Sequence, residues 1–390
     1  MRTLKQLAQV PLALALALAG LDAHPARAAE ASGAAAHGQA VKKISLQLRA
    51  EHKGVVGQLF AFAGDGQRWY SAGGSWDLIE WSGAAPTKRH SMQVRDYLNL
   101  SHDGRQLLTR VSGLDLISQR QLDAPPMLLE RGMEVQLAAL AADAQQAAYI
   151  LHFRPPRLRV ERRADGATEY HPLGPTRPSG APNSLQVGKP GNIASLKTLL
   201  TDGSENITHL HFGARHLFAA VVTPGSIAIW ERGTLRALPA LAAADMLPGA
   251  RLALSQDGSM VAIFGGASGA AGQAKVFAVG SWRPLGQWPP DTLPASVEAM
   301  AFLPGTRIVA TGDEVGHLRL WQLADGQPPQ SLLELDLPRP SQPAAGSPSG
   351  SSPFANRITA LAFSPSGDRL IVGLDLDGAN VRIYEVKRDR

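Results

Sequence analysis

Two histidines one residue apart, His209-Leu210-His211, are the sharpest chemical feature of this chain. In an extended strand, residues two apart point to the same face, so both imidazoles project together. Paired neutral imidazoles can ligate a metal, accept a proton or hold a polar ligand. A metal site needs further ligands, and no Asp or Glu stands beside them in the run Ile207–Phe212. A second cluster is basic: Arg154, Arg157, Arg159, Arg162 and Arg163. Strand alternation puts Arg157, Arg159, Glu161 and Arg163 on one face, with Leu158, Val160 and Arg162 on the other. That segment is either a solvated outer strand or a docking ridge for an acidic partner or anionic polymer, with Arg154, Arg157, Arg159 and Arg163 as its contacts. A third, Asp375-Leu376-Asp377-Gly378-Ala379-Asn380, gathers three oxygen-bearing side chains of the kind calcium takes. It lacks the later Glu of a finished site, and Asp-Gly is also an ordinary hairpin turn. Asp375, Asp377 and Asn380 are therefore candidates only, and the expectation is no metal and no cofactor.

Catalytic motifs are missing. There is no nucleophile elbow of the G-x-S-x-G type, no H-E-x-x-H and no phosphate-binding G-x-x-x-x-G-K-[ST]. The chain has no cysteine, which excludes disulfides, thiolate metal sites and cysteine nucleophiles. No catalytic residue is assigned.

The elements that must position these side chains are read from a repeat. Ile358-Thr359-Ala360-Leu361-Ala362-Phe363, a turn at Ser366-Gly367, Leu370–Gly373 and Val381–Tyr384 form one unit. Val297–Phe302, a turn at Pro304-Gly305, Ile308–Gly312 and Leu318–Trp321 form the same unit earlier. Equivalent turns fall at Asp65-Gly66, Asp103-Gly104, Asp143-Ala144, Ala214-Arg215 and Asp257-Gly258. Successive spacings are 38, 40, 70, 44, 47 and 62 residues. A unit of three or four strands recurring near 40 residues reads as a blade of a β-propeller. The two long gaps hold Pro/Gly-rich stretches, 172–192 and 338–353, which suit loops rather than strands. The expectation is all-β: a seven-bladed β-propeller of four-stranded antiparallel blades spanning 41–390. An eighth, degenerate blade within 175–205 is the alternative count. Ile44–Arg49 alternates like a half-buried strand and is expected to close the last blade from the N-terminal side, which removes a sheet edge.

Alignment of the inner strands gives the histidines their neighbours. The His211 column reads Ala61, Asn99, Ala139, His211, Ala253, Ala301 and Ala362. The His209 column holds Leu59, Tyr97, Leu137, Arg251, Ala299 and Ala360 in the other units. Tyr97, Asn99, His209, His211 and Arg251 thus stand at equivalent heights in three blades. They either line a ligand pocket at the central channel or hydrogen-bond to channel water and bind nothing.

The units at 297–323 and 358–386 resemble WD40 repeats, with their V/I-x-x-φ-A-F opening, small-residue turn and closing Trp321 or Tyr384. The resemblance is looser over 207–230 and 250–277 and faint before that. The Gly-His pair that opens such repeats is absent, and with it the expected Asp-His-Ser/Thr-Trp hydrogen-bond network. The resemblance implies a platform for other proteins.

The first residues carry an address. Arg2 and Lys5 precede the apolar run Val10–Ala19, and Ala26-Arg27-Ala28 offers a cleavage site. Residues 1–28 are expected to be a secretory signal peptide and 29–40 a disordered linker. Leu21 stands where a lipid-bearing cysteine would be needed, and no later run approaches a membrane span. The full chain carries +5. After residue 28 it has 35 basic against 32 acidic residues, a bias too mild for a nucleic-acid binder. The expectation is a monomeric periplasmic protein of bacterial type that binds or scaffolds a partner protein. The alternatives are a periplasmic propeller enzyme, or a small-ligand or metal-binding protein, using the channel cluster, and an envelope-complex subunit tethered by 338–353.

Overall fold

The turn Ser255-Gln256-Asp257-Gly258-Ser259 shows how this chain makes a hairpin. The Gly258 N–H donates to the Ser255 carbonyl at 2.8 Å, and the Met260 N–H donates to Ser255 Oγ at 2.8 Å. Ser255 Oγ in turn donates to Asp257 Oδ1 at 2.6 Å. Gly258 takes φ +71°, a left-handed conformation that glycine adopts without a Cβ penalty. Ala144 occupies the same place in the third unit at φ 56°, so the turn forms there without glycine.

A computed structural model describes most of residues 43–389. Outside the description lie 1–42, 56, 73–77, 91–93, 105–106, 112–132, 154–156, 162–167, 173–183, 190–196, 201–206, 222–225, 242–246, 248–250, 266–270, 338–355, 376–379 and 390. The described residues contain strands and turns and no helix.

Strand β1 (Lys43–Lys53) comes first in the chain. The first blade holds β2 (Leu59–Phe62), β3 (Arg68–Ala72), β4 (Leu78–Ser82) and β5 (Ala85–His90). In the second position β6 (Val94–Leu100) pairs with β7 (Leu107–Val111) as a two-stranded sheet. The third blade is β8 (Met133–Leu140), β9 (Ala147–Phe153), β12 (Ser184–Gly188) and β13 (Lys197–Leu200), interrupted by the separate hairpin β10 (Arg157–Glu161) and β11 (Thr168–Pro172). The fourth is β14 (Ile207–Phe212), β15 (His216–Val221), β16 (Ser226–Glu231) and β17 (Ala237–Leu241). The fifth is β18 (Arg251–Leu254), β19 (Met260–Gly265), β20 (Gln273–Ala278) and β21 (Pro284–Gln287). The sixth is β22 (Val297–Phe302), β23 (Ile308–Asp313), β24 (His317–Gln322) and β25 (Gln330–Asp336). The last holds β26 (Arg357–Phe363), β27 (Arg369–Asp375) and β28 (Asn380–Asp389), and β1 is its fourth strand. Six four-stranded antiparallel blades are thus described, with β6–β7 in the remaining position between β2 and β8.

The N-terminal latch is longer than expected. β1 runs antiparallel to β28 from Lys43 opposite Asp389 to Lys53 opposite Asn380, with a bulge between Leu48 and Ala50. Ile44 is buried in a hydrophobic cluster that also holds Tyr384 and Val386 of β28, so the closure is hydrophobic as well as hydrogen-bonded.

Two expectations about the middle of the chain are corrected. Residues 175–205 do not begin an eighth blade: β12 and β13 are the outer strands of the third. The stretch 172–192 is therefore not all loop, since Ser184–Gly188 pairs with β9 in register. The 70-residue gap arises from insertion of the β10–β11 hairpin within the third blade. The basic segment also lies on that inserted hairpin rather than on an outer blade strand, with Arg157 opposite Pro172 and Arg159 opposite Tyr170. Arg154, Arg162 and Arg163 fall outside the described residues, as does the stretch 338–353.

The core lies between blades. Each hydrophobic cluster joins two neighbours, as Leu318 and Leu320 of the sixth pack with Leu370 and Val372 of the last. Trp69 and Trp81 of the first pack with Ile371 and Ile383 of the last, their indoles stacked 4.5 Å apart and 5° from parallel. Second strands such as β19 and β23 are buried along their whole length; β19 is apolar throughout, and β23 adds the buried polar Thr311 and Asp313 to its apolar residues. The closing aromatics Trp81, Trp230, Phe277, Trp321 and Tyr384 are all buried. Half of the expected-absent network is present: Trp81 Nε1 donates to Ser71 Oγ and Trp321 Nε1 to Thr311 Oγ1, each at 2.9 Å. In the sixth blade the Asp side is met from within one hairpin, with Asp313 Oδ2 2.7 Å from His317 Nδ1.

Candidate functional site

The inner strands β2, β6, β8, β14, β18, β22 and β26 each pair on one side only within their sheets, which leaves the other edge toward the axis. Five of them carry a register irregularity near the start. In β8, β14, β22 and β26 it falls at Gln136, Thr208, Glu298 and Thr359, and in β6 it spans Asp96 and Tyr97. A bulge adds one unpaired residue and re-aims its side chain. The polar residue at this place was not singled out by alternation, because a bulge breaks the period of two on which alternation depends. Its signal is nevertheless in the sequence: the residue before the His209 column reads Gln58, Asp96, Gln136, Thr208, Ala250, Glu298 and Thr359.

Glu298 completes the candidate cluster. Arg251 of β18 ion-pairs with Glu298 Oε2 at 2.6 Å, and its Nη1 also donates to the Glu298 carbonyl at 2.5 Å. Ser296 Oγ donates to Glu298 Oε1 at 3.3 Å. Arg251 stands close enough to His209 for its charge to act on the imidazole. Burial first, and that charge second, push His209 below its ordinary range. His211 remains open to water, yet protein crowds it closely enough to lower its pKa to about 4. Both imidazoles are therefore neutral at pH 7.

The other predicted members divide. Asn99 of β6 donates through Nδ2 to the Ala138 carbonyl of β8 at 3.3 Å, so it ties the second blade to the third. Tyr97 lies in the β6 irregularity and its side chain is outside the described residues. His209 and Arg251 are therefore brought together, with Glu298 added. Arg157 and Arg159 sit on the separate hairpin. Asp375 and Asn380 stand at the strand ends of the β27–β28 hairpin, Asn380 buried and opposite Leu374, and Asp377 is outside the described residues. Among the described residues no three His, Asp or Glu side chains are grouped so as to hold a metal ion. Neutral imidazoles beside an Arg–Glu pair can offer hydrogen bonds to a polar ligand.

No family model matches the chain, and no curated protein matches it. Among solved structures, the β-propeller domain of Cps50 (Swd1) from Myceliophteria thermophila is similar, with a TM-score of 0.55 at 15% identity. The match covers 88% of this chain and 100% of that one. A likeness at that identity concerns the fold. In fold, the chain is a β-propeller of four-stranded antiparallel blades.

Proposed function

We propose that the protein is a non-enzymatic binding module, exported to the bacterial periplasm by residues 1–28, which docks a partner protein as a monomer. The fold suits a protein-interaction scaffold, because turns on a rigid ring present many side chains on two faces. The observation that carries the reading is that three of the inner-strand polar groups are engaged by neighbouring protein groups. Arg251 is engaged by Glu298, Asn99 by the Ala138 carbonyl, and Thr359 Oγ1 by the Gly57 carbonyl at 3.1 Å. A general acid and base poised for substrate would need to converge on open space instead. Leu48 is the one strongly exposed large hydrophobic among the described residues, so the partner is recognised by polar and charged groups. No nucleic acid, cofactor or membrane anchor enters this reading. No described helix is long and apolar enough to cross a membrane.

The test is capture of partners from envelope extract by residues 29–390 at low and high salt, followed by reconstitution with the purified partner. Stoichiometric assembly from pure components is the expected result. Failure to assemble with any purified candidate at either salt sinks the proposal. A second reading, a small polar ligand in the channel, is favoured by the closeness of His209 to Arg251. Loss of binding of that ligand on His209→Ala, with thermal stability kept, is its signature.

A further inference from the structure

Where the third and fourth blades meet, three turns enclose an open groove of ≈ 750 Å³. Gln145 and Gln146 come from the β8–β9 turn, Arg215 and His216 from β14–β15, and Glu231 and Arg232 from the end of β16. Most charges here already have partners. Arg232 crosses to the third blade, where it ion-pairs with Asp143 and donates from Nε to Gln146 Oε1 at 3.3 Å. Glu231 Oε2 accepts from Thr234 Oγ1 at 2.7 Å and lies 3.7 Å from Arg236 Nε.

Arg215 is different. It is exposed, and among the described residues no carboxylate lies within ion-pair distance of its guanidinium. The Arg215 carbonyl accepts from the Arg232 N–H at 2.8 Å, so its backbone is held while its side chain faces solvent. Elsewhere on this face arginines are engaged: Arg369 Nη2 donates to the Gly66 carbonyl at 2.6 Å, and Arg283 and Arg307 share Asp325. Beside Arg215, the buried His216 Nδ1 has no hydrogen-bond partner among the described residues. Burial, then the Arg215 charge, hold this imidazole below its usual range against the opposite pull of Glu231.

With Glu231 matched by Arg236, and Arg232 drawn to Asp143, Arg215 is a surplus cation in a concave, partly walled site. We infer that this groove is the docking site for an acidic segment of the partner protein, with the Arg215 guanidinium taking a carboxylate side chain. Guanidinium and carboxylate match in geometry as well as charge. The groove holds more than one side chain, which suits a peptide segment rather than a single ion. Glu231 on its wall would repel a doubly charged phosphate more than a singly charged carboxylate. The inference rests on the proposed docking role.

The experiment is fluorescence anisotropy of a labelled Gly-Glu-Gly-Glu-Gly peptide against residues 29–390 at low salt. The expected result is saturable binding, weakened about tenfold by Arg215→Ala and further by Arg215→Glu. Arg283→Ala, which removes a cation from the same face at another junction, should leave binding unchanged. In parallel, proton NMR of His216 should show its pKa rising when the peptide binds, since a carboxylate is added beside Arg215, whose charge lowers it against Glu231, with Arg232 and Arg236 the other charged groups of the site. Equal affinity for Arg215→Ala and the native chain overturns the inference. So does equal weakening by Arg283→Ala, displacement by inorganic phosphate at equal concentration, or a fixed His216 pKa. A reconstituted partner that still assembles with the Arg215→Glu chain removes the groove and leaves the docking role standing. A chain that binds the peptide through Arg215 but assembles with no protein removes the docking role instead.

Discussion

Gly373 lies in β27 where the last blade meets the segment leading from the latch into the first blade. A Cβ built there would fall 1.7 Å from the Gly57 carbonyl oxygen and 2.7 Å from its carbon. Carbon and oxygen tolerate each other at about 3.3 Å, so Gly373→Ala must push the Gly57 backbone away by roughly 1.6 Å. The same oxygen accepts the Thr359 hydroxyl at 3.1 Å, and that hydrogen bond breaks as the backbone retreats. Overpacking costs about 1–3 kcal/mol and the lost hydrogen bond about 1 kcal/mol more. With an unfolding entropy of about 2.1 cal/mol/K per residue over roughly 350 residues, a loss of about 3 kcal/mol lowers Tm by about 4 °C. Differential scanning calorimetry of residues 29–390 reads this directly. Gly233→Ala is the companion variant, because nothing lies within 4 Å of a Cβ there. Its Tm should stay within about 1 °C, as ordinary surface substitutions do. A Gly373→Ala chain as stable as Gly233→Ala would refute the claim that ring closure depends on this backbone contact.

Three further outcomes follow from the same geometry. Ile44→Asp puts a carboxylate into the latch cluster, so β1 should detach and limited proteolysis should cut the N-terminal side of the chain at least tenfold faster; an unchanged cleavage rate counts against the latch. Thr311→Val leaves the buried Trp321 Nε1 without its acceptor, a loss of about 1–3 kcal/mol measurable by urea unfolding, and a midpoint equal to the native one would show the bond to be dispensable. The pKa of His211 is lowered from 6.5 to about 4, so the unfolded chain binds the proton first and stability falls as pH drops from about 6.5 to about 4. His211→Gln should therefore flatten the decline of Tm across that window; parallel Tm–pH curves for both chains would contradict it.

Much of the architecture is legible in the residues themselves. Asp-Gly and Ser-Gly turns recur because a hairpin needs a residue that accepts positive φ, and the apolar second strands recur because both their faces meet other blades. Ile44–Arg49 announces the latch by alternation, and five closing aromatics announce the buried third strands. The pairing of His209 with the Arg251 column came from the same local alignment. All these signals are periodic and short-range, and a single chain displays them without reference to its partners in space.

Only the tertiary structure decided where the third blade keeps its outer strands. Ser184–Gly188 lies in a proline-rich stretch whose local preference is loop, yet β9 offers an open edge whose hydrogen bonds must be met, and pairing there overrides propensity. Glu298 entered the channel cluster because a bulge in β22 re-aims it, a register event set by the paired strand β23. The groove beside Arg215 needs Asp143 and Arg232, 89 residues apart in sequence, to meet across a blade junction. Periodicity assigns each residue to a face, but the contact between two blades depends on how the closed ring sets neighbouring turns against each other, and that is fixed only when every blade is packed.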